Sequence, residues 1–189
     1  NEGIGVFRFF LALVSLSFSV YLLPGLWGAP LKSVSAFVPP LYTQDFNLYD
    51  EGMAHYDDFD EGMKAAQAQG KPAFIDFSGY GCVNCRKMET AVLNNTKVKD
   101  MLEKDFVFIT LMVDDKRPLP EPIYVNENGR QVKLETYGDR WSYLQRHKFN
   151  ANSQPYYAVL NENGELASGP YFYDEDVEKF IEFLNAGNK

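Results

Sequence analysis

The sequence predicts an α/β domain, a central mixed sheet flanked by helices, with an apolar helix ahead of it. Three observations carry this reading. Apolar periodicity alternates helix, strand, helix, strand between residues 58 and 113, an order that implies parallel strands joined by a crossover. Phe106 to Val113 is an unbroken apolar run rich in β-formers, which suits a central strand buried on both faces. Finally, Cys82-Val83-Asn84-Cys85 stands where a strand turns into a helix, and a Cys-x-x-Cys so placed is a redox motif first and a metal half-site second.

The apolar helix comes first. Val6 to Trp27 is interrupted only by Arg8, and a span of about 20 apolar residues is what a bilayer requires. Tyr21 and Trp27 fit an interfacial aromatic belt. A secretory signal and a buried helix are the rival readings; against them stand the poor cleavage site at Pro24 to Pro30 and the lack of a clean polar face for Ser15, Ser17 and Ser19. The missing initiator Met is expected of a processed form or a fragment. Residues 1–29 are thus expected to be a transmembrane helix or its remnant. Residues 30–57 are expected to be a linker, stiffened by Pro39-Pro40 and carrying Tyr42, Phe46, Tyr49 and Tyr56 at irregular spacing. The folded domain is expected over 58–189.

Within the domain, Asp58 or Asp60 can cap a helix with Phe59, Met63 and Ala66 on its inner face, ended by Gly70 and Pro72. A strand follows over Ala73 to Phe77, then helices over Val83–Leu93 and Thr96–Lys104. Pro118, Pro120 and Pro122 argue against a regular element, and Tyr124 to Val132 reads as a hairpin turning at Asn-Gly. An insertion is expected over about 115–150, its last part a helix opened by Asp139 and carrying Trp141, Leu144 and Lys148 at helical spacing. The chain closes with Pro155, a strand Tyr156 to Leu160, a turn at Asn161 to Gly164, a short strand Glu165 to Ala167, and a helix from Asp174 to about Leu184.

Charge excludes one class of function. The chain has 18 Lys+Arg against 26 Asp+Glu, a net charge of −8, and no basic stripe, so nucleic-acid binding has no electrostatic footprint. The two cysteines are the only ones, and so short a loop gives a disulfide only about 2 kcal/mol of chain-entropy stabilisation. The pair is therefore read as reactive. Zinc wants four ligands, and only His55 and His147 could join the cysteines, so no metal is expected. No cofactor is expected beyond a redox-active Cys82–Cys85 disulfide.

A thiol attacks as the thiolate, and a helix N-terminus favours that form, which makes Cys82 the nucleophile. Cys85, one turn further in and more buried, resolves the mixed disulfide. Asp76 lies inside an apolar strand, where desolvation raises its pKa. It is read as a proton relay for Cys85, the other reading being a capped or solvent-facing carboxylate.

The order of elements, Asp76 six residues before Cys82, the Cys82 to Cys85 turn and Pro155 before the penultimate strands resemble the thioredoxin fold over about residues 58 to 186. Gly70-Lys71-Pro72, the basic Arg86 and Lys87, and the upstream Val20 to Leu31 are similar to the C-terminal end of the DsbD family of thiol:disulfide interchange proteins. That resemblance implies a buried Asp76 beneath the second cysteine and a cis Pro155 facing the sulfurs. The backbone of Gln154 would pair with an extended substrate, with Tyr80 and Gly81 on the same substrate side. It also implies a protein-disulfide reductase at the bacterial inner membrane, its domain in the periplasm. Such a protein takes electrons from a membrane-embedded donor domain and passes them to periplasmic protein disulfides or cytochrome c maturation factors. The chain departs from the pattern at Gly81, where Trp is common, and at Thr110, where a Lys often accompanies the Asp. A thioredoxin-like binding module without redox turnover is the alternative.

Overall fold

The computed structural model describes residues 5–27, 55–127 and 129–188, and divides into two units, Asn1–Gly52 and Met53–Lys189. In the first, helix α1 (Val6–Leu22) runs into a 3-10 turn, Leu23–Trp27. The segment Val6–Gly25, 20 residues, is long and apolar enough to cross a membrane by length and composition. Two of the serines that give it no polar face bond back to the helix backbone. Ser15 and Ser19 hydroxyls donate to the Leu11 and Ser15 carbonyls, each at 2.9 Å, so neither presents an unmet donor to an apolar surround. The linker expected over 30–57, including Pro39-Pro40, Tyr42, Phe46 and Tyr49, lies outside the described residues up to position 54.

In the second unit, five strands pair in the order β1-β3-β2-β6-β7. They are β1 (His55–Tyr56), β2 (Ala73–Ser78), β3 (Val107–Met112), β6 (Tyr156–Leu160) and β7 (Leu166–Tyr171). β1 and β2 both run parallel to β3, and β6 and β7 are antiparallel additions. The sheet therefore takes in His55 and Tyr56, ahead of the start expected at 58. β2, β3 and β6 are buried along their whole length, because both faces are covered. Helices α2 (Phe59–Gln69) and α5 (Tyr137–Lys148) cover one face, with Ala66 and Trp141 packed against Ile75, Phe77 and Ile109. Helices α3 (Val83–Met88), α4 (Thr96–Asp105) and α6 (Val177–Gly187) cover the other.

The period of two along β2 assigns its side chains. Ala73, Ile75 and Phe77 join the α2/α5 face, while Phe74, and with it Asp76, points to the α3/α6 face. Phe74 is the hub of that second core, with the rings of Phe108, Tyr157, Phe180 and Phe183 centred 5.2, 5.7, 6.0 and 6.4 Å away. α2 starts as its sequence predicts. The Asp58 carboxylate accepts the N–H groups of Asp60 and Glu61 at 2.9 and 3.1 Å, and Gly70 closes the helix at φ 61°. It lies close on β3 at Gly62, where a Cβ would come within 2.5 Å of the Ile109 side chain.

Five elements differ from expectation. The helix expected over Val83–Leu93 is α-helical only to Met88 and continues as a π-helical turn, Glu89–Leu93. There the Thr90 hydroxyl donates to the Arg86 carbonyl at 2.9 Å, competing with the backbone for that acceptor. The prolines do not exclude a strand, since β4 (Pro118–Glu127) pairs with β5 (Arg130–Thr136) as a separate ribbon. Its register is irregular between Pro118 and Ile123, and a two-stranded ribbon is all edge, where a residue without N–H is tolerated. Gly129, at φ 76°, supplies the turn. α5 is opened by Thr136, not Asp139: the two form a capping box in which Thr136 Oγ1 accepts Asp139 N–H and the Asp139 carboxylate accepts Thr136 N–H. β7 runs on through Gly169-Pro170 to Tyr171 because it is the sheet's edge, and α6 begins after its cap Asp176 rather than at Asp174.

Candidate active site

β2 ends at Ser78, and Gly79, Tyr80 and Gly81 carry the chain to Cys82, the N-cap of α3. Cys82 and Cys85 form a disulfide with a Cα–Cα separation of 5.3 Å. Cys82 is half-buried and its sulfur accepts the Cys85 N–H at 3.2 Å, whereas Cys85 is buried. Two side chains from elsewhere fix the connecting turn. The Asp114 carboxylate, just beyond β3, accepts the N–H groups of Tyr80 and Gly81 at 2.8 and 3.0 Å. From the opposite side, Arg86 Nη2 donates to the Gly79 carbonyl at 2.9 Å. Both Tyr80 and Gly81 are exposed.

Pro155 is buried and follows a cis Gln154–Pro155 bond. The antiparallel register pairs Tyr156 with Phe77, so Pro155 lies at the end of the sheet where β2 gives way to the cysteine turn. The segment leading to it is tied to α5 through Gln145, which is fully buried. Gln145 Nε2 donates to the Ser153 carbonyl and its Oε1 accepts Gln154 Nε2, each at 2.9 Å.

Asp76 is buried between Thr110 of β3 and Tyr157 of β6, its register partners. The solvent-facing reading of this carboxyl is therefore overturned. Burial pushes its pKa up to about 7; the nearby Arg86 guanidinium opposes the rise and Glu89 adds to it. Asp76 Oδ1, Arg86 Nε and Thr110 Oγ1 are buried polar atoms without a hydrogen-bond partner. Burial likewise raises the Tyr157 hydroxyl well above its ordinary value, and the charges of Asp76 and Glu89 add to the effect. Arg86 itself is buried, with Nη1 on Glu89 Oε2 at 2.7 Å. His55 of β1 lies near the Phe108 ring of β3, and His147 of α5 lies against Glu127 of β4 and Tyr143 of its own helix.

Sequence reasoning passed over Arg86, Asp114 and Gln145. For Arg86 the available signal was its glutamate partner at i+3; for Asp114, an acidic pair closing the apolar run Val107–Met112. Gln145 directly follows Leu144 of the chosen stripe, and its place four residues after Trp141 was the signal available.

A mixed sheet with helices on both faces, and a vicinal cysteine pair capping the helix after its second strand, define a thiol–disulfide oxidoreductase. The chain belongs to the thioredoxin-like family, whose model matches residues 54–161. Among solved structures it is similar to a thioredoxin from Thermus thermophilus (21% identity, TM-score 0.50, covering 70% of this chain and 85% of that one). It is also similar to the DsbH oxidoreductase (14%, TM-score 0.52, 75% and 92%). The reduced C-terminal domain of Neisseria meningitidis DsbD is a further likeness (19%, TM-score 0.49, 71% and 99%). No curated protein sequence matches the chain.

Proposed function

We propose that the chain is a protein-disulfide reductase that carries electrons from a membrane-embedded dithiol donor to disulfides of periplasmic proteins. The observation that supports it most is the unequal setting of the two sulfurs. Cys82 is accessible at the start of α3, and Cys85 is buried on its first turn, next in sequence to the buried Arg86.

In the reduced protein the Cys82 thiolate attacks a substrate disulfide and displaces one substrate thiolate, leaving Cys82 in a mixed disulfide. Cys85 then loses its proton, with Asp76 as the acceptor, and its thiolate attacks Cys82 Sγ. The second substrate thiolate leaves, and Cys82–Cys85 is closed. Two electrons have passed from the dithiol to the substrate, and a donor dithiol returns the pair to the reduced form by the same exchange in reverse. An extended substrate segment lies against Tyr80, Gly81 and the Gln154 backbone, beside Pro155. No cofactor beyond the cysteine pair enters this cycle.

The donor and the location rest on the resemblance of the motif and of the apolar segment before it to the DsbD family. α1 would anchor the chain in the inner membrane and leave the domain, from His55 on, in the periplasm. The test is reduction of a disulfide-bonded peptide by the pre-reduced full chain in detergent. One disulfide reduced per chain is expected, with no reduction by Cys82→Ser and arrest at a mixed disulfide in Cys85→Ser. Undiminished activity of Cys82→Ser would overturn the assignment, and failure of the wild type to reduce the peptide would leave a binding module.

A further inference from the structure

Gln145 stands one turn after Trp141 on α5 and is fully buried. An apolar side chain would fill such a place at less cost, since a buried amide is destabilising unless hydrogen-bonded. Both partners of the Gln145 side chain lie in the segment between α5 and Pro155. Nε2 donates to the Ser153 carbonyl and Oε1 accepts Gln154 Nε2, each at 2.9 Å. The main-chain carbonyl of Gln145 accepts the N–H groups of Phe149 and Ala151 at 3.2 and 3.3 Å, so one residue both closes α5 and holds the segment that leaves it. That segment turns at Asn150, whose φ of 51° is the one left-handed non-glycine conformation among the described residues and one that Asn tolerates.

Peptide planarity then orients Gln154. In a trans peptide the carbonyl and the following N–H share a plane and point in opposite directions, and the Ser153–Gln154 bond is trans. With the Ser153 carbonyl held toward α5, the Gln154 N–H is turned away from it. The Gln154 side chain is drawn back onto Gln145 and does not cover that N–H from the α5 side. β6 pairs with β2 only from Tyr156 on, and Pro155 has no N–H, so Gln154 carries the last main-chain donor before the paired sheet. Asn152 and Ser153 are exposed and Gln154 is half-buried, a surface setting that a second chain can reach.

We propose that Gln145 is a positioning residue for substrate: by fixing the Ser153–Gln154 peptide it presents the Gln154 N–H to a carbonyl of an extended peptide, and so makes the chain prefer disulfides in peptide strands over small-molecule disulfides. This rests on the exchange cycle above and concerns how its substrate is held, not how electrons move. Gln145 touches neither sulfur nor substrate; it acts through Ser153 and Gln154.

The experiment is single-turnover reduction by the reduced full chain, in detergent, over a range of concentrations of three probes. They are a disulfide-bonded peptide, the same peptide with esters in place of the amides on either side of the attacked cysteine, and a small aromatic disulfide. Ester carbonyls are weaker acceptors, so in wild type the ester peptide is expected to need an about five- to tenfold higher half-saturating concentration at an unchanged limiting rate. Gln145→Met keeps the side-chain length and removes both bonds. It is expected to raise the half-saturating concentration of the amide peptide by a similar factor, to lose the discrimination between amide and ester, and to slow the small disulfide much less. Gln145→Glu, which keeps the acceptor and loses the donor, carries the same comparison if Gln145→Met does not fold. If neither folds, hydrogen exchange of the Gln154 N–H decides: it is expected to be slower in Cys85→Ser trapped on the peptide than in the free chain. A wild type indifferent to ester, a Gln145 variant that still discriminates, equal slowing of peptide and small disulfide, or equal Gln154 exchange in the free and trapped chains would each overturn the inference and leave Gln145 a scaffold residue. A wild type that reduces none of the three probes would instead overturn the exchange cycle.

Discussion

The carboxylate of Asp114 accepts the backbone N–H of Tyr80 at 2.8 Å, joining residues 34 apart in sequence. With the neighbouring bond from Gly81 at 3.0 Å, one side chain at the end of β3 holds the peptide that presents Cys82. Hydrogen bonds to a charged acceptor contribute about 1.5–3 kcal/mol each, and half-exposure puts this pair at the low end. Asp114→Ala is expected to cost about 2 kcal/mol in denaturant unfolding of the oxidised chain and to slow peptide-disulfide reduction. Asp114→Asn, which keeps one oxygen acceptor, is expected to fall between the two.

Asp76 links stability to pH. Its folded pKa, about 7, stands above the ordinary 3.8, so between these values the folded chain holds a proton that the unfolded chain has lost. Stability from this group is complete below pH 3.8, falls as pH rises through the window up to about 7, and stays low above it. The span corresponds to about 4 kcal/mol. Asp76→Asn is expected to be the more stable protein at pH 8 and to lose the slope between pH 4 and 7 in urea unfolding. Peptide-disulfide reduction by the same variant is expected to slow at the Cys85 step. A variant less stable than wild type at pH 8 would contradict the account.

Unequal burial of the two sulfurs predicts unequal labelling. In the reduced chain near neutral pH, Cys82 is expected to be alkylated well before Cys85, as read by mass spectrometry of digests quenched at short times. Preferential labelling of Cys85 would reverse the assigned roles.

Thr136 tests the scaffold apart from the chemistry. Loss of its cap in Thr136→Ala is expected to cost about 1 kcal/mol of stability with the exchange rate unchanged, since the cap lies at the start of α5, a turn or more before Ser142 and Gln145, whose side chains bond to Val113 and to the segment leading to Pro155. A fall in rate without a fall in stability would place the β5–α5 junction in the site.

The parts of this molecule written in local pattern were legible. The cysteine turn, the buried strand after Phe106, the Asp58 cap and the Gly70 stop all depend on residues within a few positions of one another. Arg86 was not legible, because a basic residue on a helix reads as solvent-facing; its burial depends on the Gly79 carbonyl seven residues away and on a glutamate turned inward. Asp114 was hidden for the same reason, its partners lying on another strand's exit. The proline-rich strand misled in the other direction, since the rule against proline in sheets applies to central strands and β4 has no second neighbour.

The four rings around Phe74 have a consequence for Asp76, two residues further along the same face of β2. They form an aromatic floor that includes the Tyr157 ring, whose hydroxyl is itself held neutral by burial. With rings rather than water on that side, the carboxyl's raised pKa is set first by burial and only then by the charges of Arg86 and Glu89.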